Sequence, residues 1–201
     1  MIRAVFLDKD GTLVEDEPLS AETTRVRFFP DVFAGLRLLH RAGYALIIVT
    51  NQGGVAQGRF ADADVRRMKS YLQGKLAEAG IPLDGFYYCP HHPAGIVKPY
   101  VGHCLCRKPQ PGLLMRASSE LAVDMSQSWM VGDILHDVEA GRWAGCRTVL
   151  LNNGHETEWQ LTEHRWPHYI ADTLLEAAQL IVLSGSRRPE QSFRERQEEE
   201  R

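Results

Sequence analysis

The sequence has no apolar run longer than the six residues 44–49, far short of the roughly 20 that a helix needs to cross a bilayer. Its first residues do not read as a secretory leader, because the opening apolar stretch meets an acidic residue at Asp8; a cytoplasmic protein is expected. Cysteine is scarce, with four in 201 residues, which excludes a disulfide scaffold of the secreted kind. Charge of one sign is not in excess either: 23 Lys and Arg face 26 Asp and Glu, for a net charge of −3. Without a basic face, neither nucleic acid nor a membrane surface is an expected partner. What remains is a chain long enough to bury its own core without cross-links, expected to be a monomer acting on a small molecule.

Apolar residues fall into alternating strand and helix patterns. Buried strands are read at 2–7, 45–49, 86–88, 128–131, 148–151 and 168–170. Helices are read at 30–42, with Val32, Phe33, Leu36 and Leu39 on one face, and at 61–79, with Val65, Met68, Leu72 and Leu76; others are read at 111–122, 134–144 and 173–183. Such alternation predicts an α/β fold, a Rossmann-like doubly wound and mainly parallel sheet covered on both faces. One domain is expected over residues 1–183. Residues 89–109 carry no useful period and read as a loop. Residues 184–201, charged and almost devoid of apolar side chains, are expected to form an unstructured tail.

Chemistry in a doubly wound sheet collects at the carboxyl ends of the strands. The first strand here ends on Asp8-Lys9-Asp10-Gly11-Thr12. A carboxylate can attack phosphorus, a second one beside it can act as acid and then base, and the two can hold a hard cation. A solvated turn is the plain alternative, since Asp-Gly is good turn chemistry. Further polar and charged positions follow in order: Thr50 after the second strand, Lys108 in Cys106-Arg107-Lys108-Pro109, and Val131-Gly132-Asp133 with Asp137.

These four motifs resemble those of the haloacid dehalogenase (HAD) superfamily of phosphotransferases, over roughly residues 2–151. The resemblance implies that Asp8 is the nucleophile and forms an aspartyl phosphate, and that Asp10 is the acid and base. It further implies that Thr50 and Lys108 stabilise the phosphoryl oxygens and that Mg2+ is held by Asp8, the Asp10 carbonyl and Asp133. Asp137 is expected to orient Lys108 or a metal-bound water. An acidic residue at Asp10 resembles the hydrolytic branch, which favours a phosphatase over a pump or mutase. The short interval between the first motif and the second strand leaves no room for a large cap domain.

Cys89, Cys104 and Cys106 lie within eighteen residues beside His91, His92 and His103. Three thiolates and one imidazole suit a closed structural Zn2+ site, and spacing alone leaves the histidine open. The string Cys89-Pro90-His91-His92-Pro93 resembles the zinc loop of the D,D-heptose 1,7-bisphosphate phosphatase and histidinol-phosphate phosphatase subfamily. That resemblance implies Cys89, His91, Cys104 and Cys106 as the ligands, with zinc fixing Cys106 and so the neighbouring Arg107 and Lys108. Cys146 reads as a core thiol.

Substrate contacts are expected from Asn51, Gln52, Arg107 and Asp16, with Asn51 as a turn-shaping residue in the alternative. His136 reads equally as an active-site or a solvated position. Two positions depart from the subfamily pattern: Glu17-Pro18-Leu19 replaces its His-Gly-Tyr, and Ile134 stands where it tends to carry a basic residue. The expected activity is removal of a phosphate from D-glycero-D-manno-heptose 1,7-bisphosphate, with histidinol phosphate or another small metabolite as the alternative substrate. A phospho-acceptor module without turnover and a zinc-sensing module are the rivals from other classes.

Overall fold

The computed structural model describes residues 1–15 and 25–186. Asp16, the segment Glu17-Pro18-Leu19 and residues 187–201 of the expected tail lie outside the described residues. Six strands, β1 (Ala4–Leu7), β2 (Ala45–Asn51), β3 (Gly85–Cys89), β4 (Trp129–Gly132), β5 (Arg147–Leu151) and β6 (Tyr169–Ala171), form one sheet in the order β3-β2-β1-β4-β5-β6. Every pairing is parallel. The connecting helices are α1 (Val32–Arg41), α2 (Asp62–Glu78), α3 (Gly112–Leu121), α4 (Leu135–Trp143) and α5 (Leu174–Ser186).

Side chains alternate across a strand with period two, and here both faces are apolar because helices cover both. Val5 and Leu7, Leu46 and Ile48, Trp129 and Val131, and Val149 and Leu151 pack with the apolar stripes of α1, α2 and α5. Ala4 and Phe6, Ile47 and Val49, and Met130 pack instead with Leu113, Leu114 and Ala117 of α3 and with Ala140 of α4. Each fully buried leucine or isoleucine contributes about 1.5–3 kcal/mol, which is why four-residue strands such as β1 persist. Cys146 is buried in this second layer, and desolvation pushes its thiol up to about 12.

Two boundaries differ from the sequence reading. Thr50 and Asn51 belong to β2 rather than to the turn after it, because β3 pairs with them through Tyr88 and Cys89. Helix α5 runs to Ser186, past the expected end at 183, and the Ser184 hydroxyl donates to the Ile181 carbonyl at 2.8 Å in its last turn.

The strand order reverses direction between β1 and β4. Successive crossovers lead outward from β1 through β2 to β3, then return to β4 on the other side and lead outward to β6. A crevice opens at the carboxyl ends of β1 and β4 at such a switch point. Asp8 follows β1 and Asp133 follows β4, so the topology alone brings the two acidic motifs together.

Candidate active site

Asp8 is tied to the neighbouring strand by its own N–H, which donates to Val131 O at 3.0 Å. The chain then turns tightly, with Leu13 N donating to Lys9 O at 2.9 Å and Gly11 N to Val14 O at 2.8 Å. Gly11 has φ +74°, and a Cβ there would sit 2.0 Å from Asp133 Oδ2. The D-x-D-G pattern is thus explained twice over, by the left-handed backbone and by the close approach of the second acidic turn.

Lys108 is almost fully buried among three elements. Its Nζ lies 2.7 Å from Asp8 Oδ1 and 2.6 Å from Asp137 Oδ1, and it donates to Val49 O at 3.0 Å. Burial opposes its charge, but Asp137 and Asp8 overcome that and raise its pKa. Asp137 is wholly buried in the first turn of α4, where its Oδ2 accepts from Ile134 N at 3.4 Å. One carboxylate therefore caps its own helix and orients the lysine, which accounts for the four-residue spacing from Asp133.

Negative charge still exceeds positive. Burial pushes Asp8 up to about 7, with Lys108 opposing the shift and Asp137 and Asp10 adding to it. Asp133 rises to about 9, first through burial and then through Asp8 and Asp137. Oxygens of Asp8, Asp133 and Asp137 all lie within 4.8 Å of one another. Oxygen donors packed this closely around one lysine suit a hard divalent cation.

Asp8, Asp10, Thr50, Asn51, Arg107, Lys108 and Asp133 line one cavity of about 520 Å³, together with Ile134, His136, Gly154 and His155. Of the four expected substrate contacts, Arg107 and Asn51 reach the cavity, and Arg107 Nη1 donates to His91 O at 3.3 Å. Asn51 has another use: its Oδ1 accepts from Lys108 N at 3.0 Å and its Nδ2 donates to Lys108 O at 3.1 Å. Both ends of its amide hold the Lys108 peptide, and the residue also lines the cavity. Gln52 is engaged similarly and is not among the residues that line the cavity. Its Nε2 donates to Asp10 Oδ2 at 2.9 Å and to Thr50 Oγ1 at 3.0 Å, so it aligns a carboxylate of the turn after β1 with a hydroxyl at the end of β2. Lys9 pairs with the other oxygen of Asp10.

The cysteine loop comes together as one cluster. Sγ–Sγ distances are 3.1 Å for Cys89–Cys106, 3.2 Å for Cys104–Cys106 and 3.5 Å for Cys89–Cys104. His91 Nδ1 lies 3.4 Å from Cys106 Sγ and 3.6 Å from Cys89 Sγ. A tetrahedral site with bonds near 2.3 Å needs sulfurs about 3.8 Å apart, whereas a disulfide needs about 2.05 Å; the sulfurs are unbonded to one another and need to open by a few tenths of an ångström to surround an ion. His92 is turned elsewhere, its Nδ1 accepting from Ala94 N at 3.1 Å, and His103 is not in the cluster. Hydrogen bonding from Cys89 lowers the Cys106 thiol to about 5 despite burial, while Cys89 itself is pushed up. The donor set fits a soft-ligand metal, and Arg107 and Lys108 follow directly from it.

Sequence reading missed the segment after β5. His155 Nδ1 stands 2.7 Å from Asp133 Oδ2, and Asn153 Nδ2 donates to Gly11 O at 2.5 Å. Thr12, read only as part of the motif, donates from Oγ1 to Asp133 Oδ1 at 3.3 Å. The one available signal was that residues 152–156 follow a strand at the carboxyl edge of the sheet. His136, left open in the sequence, lines the cavity.

Comparison with known proteins agrees with this geometry. A HAD-hydrolase-like family model matches residues 105–177. The D-glycero-β-D-manno-heptose-1,7-bisphosphate 7-phosphatase of Salmonella typhi is 41% identical over 150 residues, covering 75% of this chain and 80% of the relative. The protein of the same name from Pasteurella multocida is 38% identical over 184 residues, covering 90% and 97%. Among solved structures, the D,D-heptose 1,7-bisphosphate phosphatase of B. bronchiseptica, crystallised with magnesium and phosphate, matches with TM-score 0.79 and 26% identity over 91% of this chain and 99% of that one. A HAD-like phosphatase of Mesorhizobium loti matches with TM-score 0.80 and 28% identity over 94% and 89%. An acidic crevice at the switch point, a buried lysine and a cysteine–histidine loop thus coincide with extended sequence identity, and the chain belongs to the heptose-bisphosphate phosphatase family of HAD-type phosphoric monoester hydrolases.

Proposed function

We propose that this protein hydrolyses the 7-phosphate of D-glycero-β-D-manno-heptose 1,7-bisphosphate, with Mg2+ as the catalytic ion and Zn2+ as a structural one. The observation that carries the reading is Asp8 beside Lys108 and Asp133 at the floor of a cavity lined at its rim by Arg107, in a chain 41% identical to a phosphatase of that name. Asp8, the Asp10 carbonyl and Asp133 are the proposed magnesium ligands, and the bound ion would offset the charge of the phosphoryl group and of the carboxylates. Cys89, His91, Cys104 and Cys106 are the proposed zinc ligands.

Asp8 attacks phosphorus through a carboxylate oxygen, and the bond from phosphorus to the sugar oxygen breaks. Asp10 donates its proton to that oxygen, leaving an aspartyl phosphate on Asp8. Water then attacks phosphorus while Asp10 takes its proton; the bond to Asp8 breaks and inorganic phosphate leaves. Lys108 and the Thr50 hydroxyl stabilise charge on the phosphoryl oxygens during both steps. Gln52 keeps Asp10 turned toward the cavity, and Asn51 keeps the Lys108 backbone from drifting. Arg107 is the proposed contact for the distal phosphate.

A second reading within the class, a sugar monophosphate or histidinol phosphate, is favoured by Ile134, an apolar side chain on the cavity wall. Phosphate release measured with Mg2+ over both heptose bisphosphate anomers, histidinol phosphate and several sugar monophosphates separates the two. A preference for the β-anomer bisphosphate supports the first reading, and a preference for a monophosphate overturns it in favour of the second. Cytoplasmic location and a monomeric state complete the proposal; no helix among the described residues is long and apolar enough to cross a membrane.

A further inference from the structure

The segment after β5 is fastened at two points, one on each acidic turn. Asn153 Nδ2 donates to Gly11 O at 2.5 Å in the turn after β1. Glu156 Oε2 accepts from Leu135 N at 2.5 Å, in the first turn of α4 beyond Asp133. His155 lies between these latches, with Nδ1 2.7 Å from Asp133 Oδ2. An Asp133 that ligates the ion is ionised, and toward an ionised oxygen Nδ1 is the nitrogen that carries the proton and donates. The other oxygen of Asp133 accepts from Thr12 at 3.3 Å. Asp8 and Asp137 both have Lys108 as a close cation, whereas no lysine or arginine among the described residues forms an ion pair with Asp133. Its carboxylate plane is therefore set by Thr12 and His155 together with its own backbone N–H.

We infer that His155 is a positioning residue for the magnesium site: it fixes the orientation of Asp133, and Asn153 and Glu156 fix the height of the imidazole above that carboxylate. Donors behind a ligating carboxylate both orient it and limit its freedom before the ion arrives, and their loss costs metal affinity rather than the chemical step. The inference deepens the magnesium assignment proposed above and rests on it. His155 also lines the cavity, with its side chain 36% exposed, so a direct substrate contact is the competing role.

Titration calorimetry of Mg2+ into the full-length protein at fixed pH, alongside phosphate release, separates these roles. His155→Ala is expected to weaken Mg2+ binding about 10- to 100-fold, with activity lost at low Mg2+ returning as Mg2+ is raised. His155→Asn, whose Nδ2 can take the place of Nδ1, is expected to bind close to wild type; His155→Gln, with its donor one bond farther out, is not. Asn153→Ala should shift affinity in the same direction as His155→Ala and serves if the latter fails to fold. Wild-type Mg2+ affinity in His155→Ala overturns the inference, as does a raised KM with unchanged Mg2+ affinity. Equal Mg2+ binding by wild type and Asp133→Asn is a different result, which removes the magnesium assignment itself and the inference with it.

Discussion

Asp8, Asp133 and Asp137 gather three carboxylates at and beneath the floor of an open cavity, two of them paired with Lys108, whereas Cys89, His91, Cys104 and Cys106 gather donors into a set with no cavity-lining member. Both groups suit a metal, but their surroundings set different tasks. In the acidic group burial raises Asp8 and Asp133, so charge is held there against its own preference. In the cysteine group the donors satisfy one another, and the consequence is geometric: Cys106 is fixed two residues before Lys108. One region holds reactive charge and the other holds the chain that carries its cation. Asn51 joins them, since both ends of its amide clamp the Lys108 peptide.

The largest break in that contrast comes from Asp8→Asn. Phosphate release is expected to fall by about 10³-fold or more, because no other carboxylate can take over the attack. The same change should raise the melting temperature of the chelated protein at pH 8, since it removes a buried charge while leaving Lys108 paired with Asp137. A differential scan with EDTA checks this.

Cys106→Ser should do the opposite to stability. It is expected to lower zinc content, measured by atomic absorption, to lower the melting temperature, and to reduce activity about 10- to 100-fold through the misplaced lysine. Asn51→Ala tests the joint alone. With both metal groups intact, a displacement of Lys108 on the order of 1 Å should cost about 10²-fold in kcat/KM, with zinc content unchanged.

A smaller effect lies away from both groups. His168 is held below its usual pKa by burial and then by Arg142 and Arg147, and its Nδ1 accepts from Thr148 N at 3.0 Å. The folded state favours the neutral ring, so this contribution is complete above the unfolded value of about 6.5 and is lost as pH falls through the depressed folded value. The His168 contribution should therefore shrink below about pH 6.5, against the opposite trend set by Asp8 and Asp133, and the melting-temperature difference between chelated wild type and His168→Gln should narrow there.

The fold was legible because each strand is a local apolar run and each helix a local stripe; all six strands and five helices stand within a few residues of where periodicity puts them. Asp8, Lys108, Asp133 and the cysteine loop were legible as motifs at strand ends. The uses of Asn51, Gln52 and His155 were not. An amide that clamps a peptide 57 positions away, or an imidazole set against an aspartate 22 positions back, leaves no periodic trace. Asn51 and Gln52 sit beside a phosphate-binding threonine, which made ligand contact the natural reading. Only the side-chain hydrogen bonds to the Lys108 peptide, Asp10 and Thr50 show that these side chains are already engaged.

The central position of β1 bears on how such a chain is made. Its two neighbours are β2, about 40 residues later, and β4, about 120 residues later. At about 5–20 residues per second of synthesis, the first strand waits on the order of ten seconds with one edge unpaired and with Asp8 lacking Lys108 and Asp133. Nascent chains in that interval have a β edge and an acidic turn without their partners, so the catalytic crevice cannot exist until β4 has been synthesised.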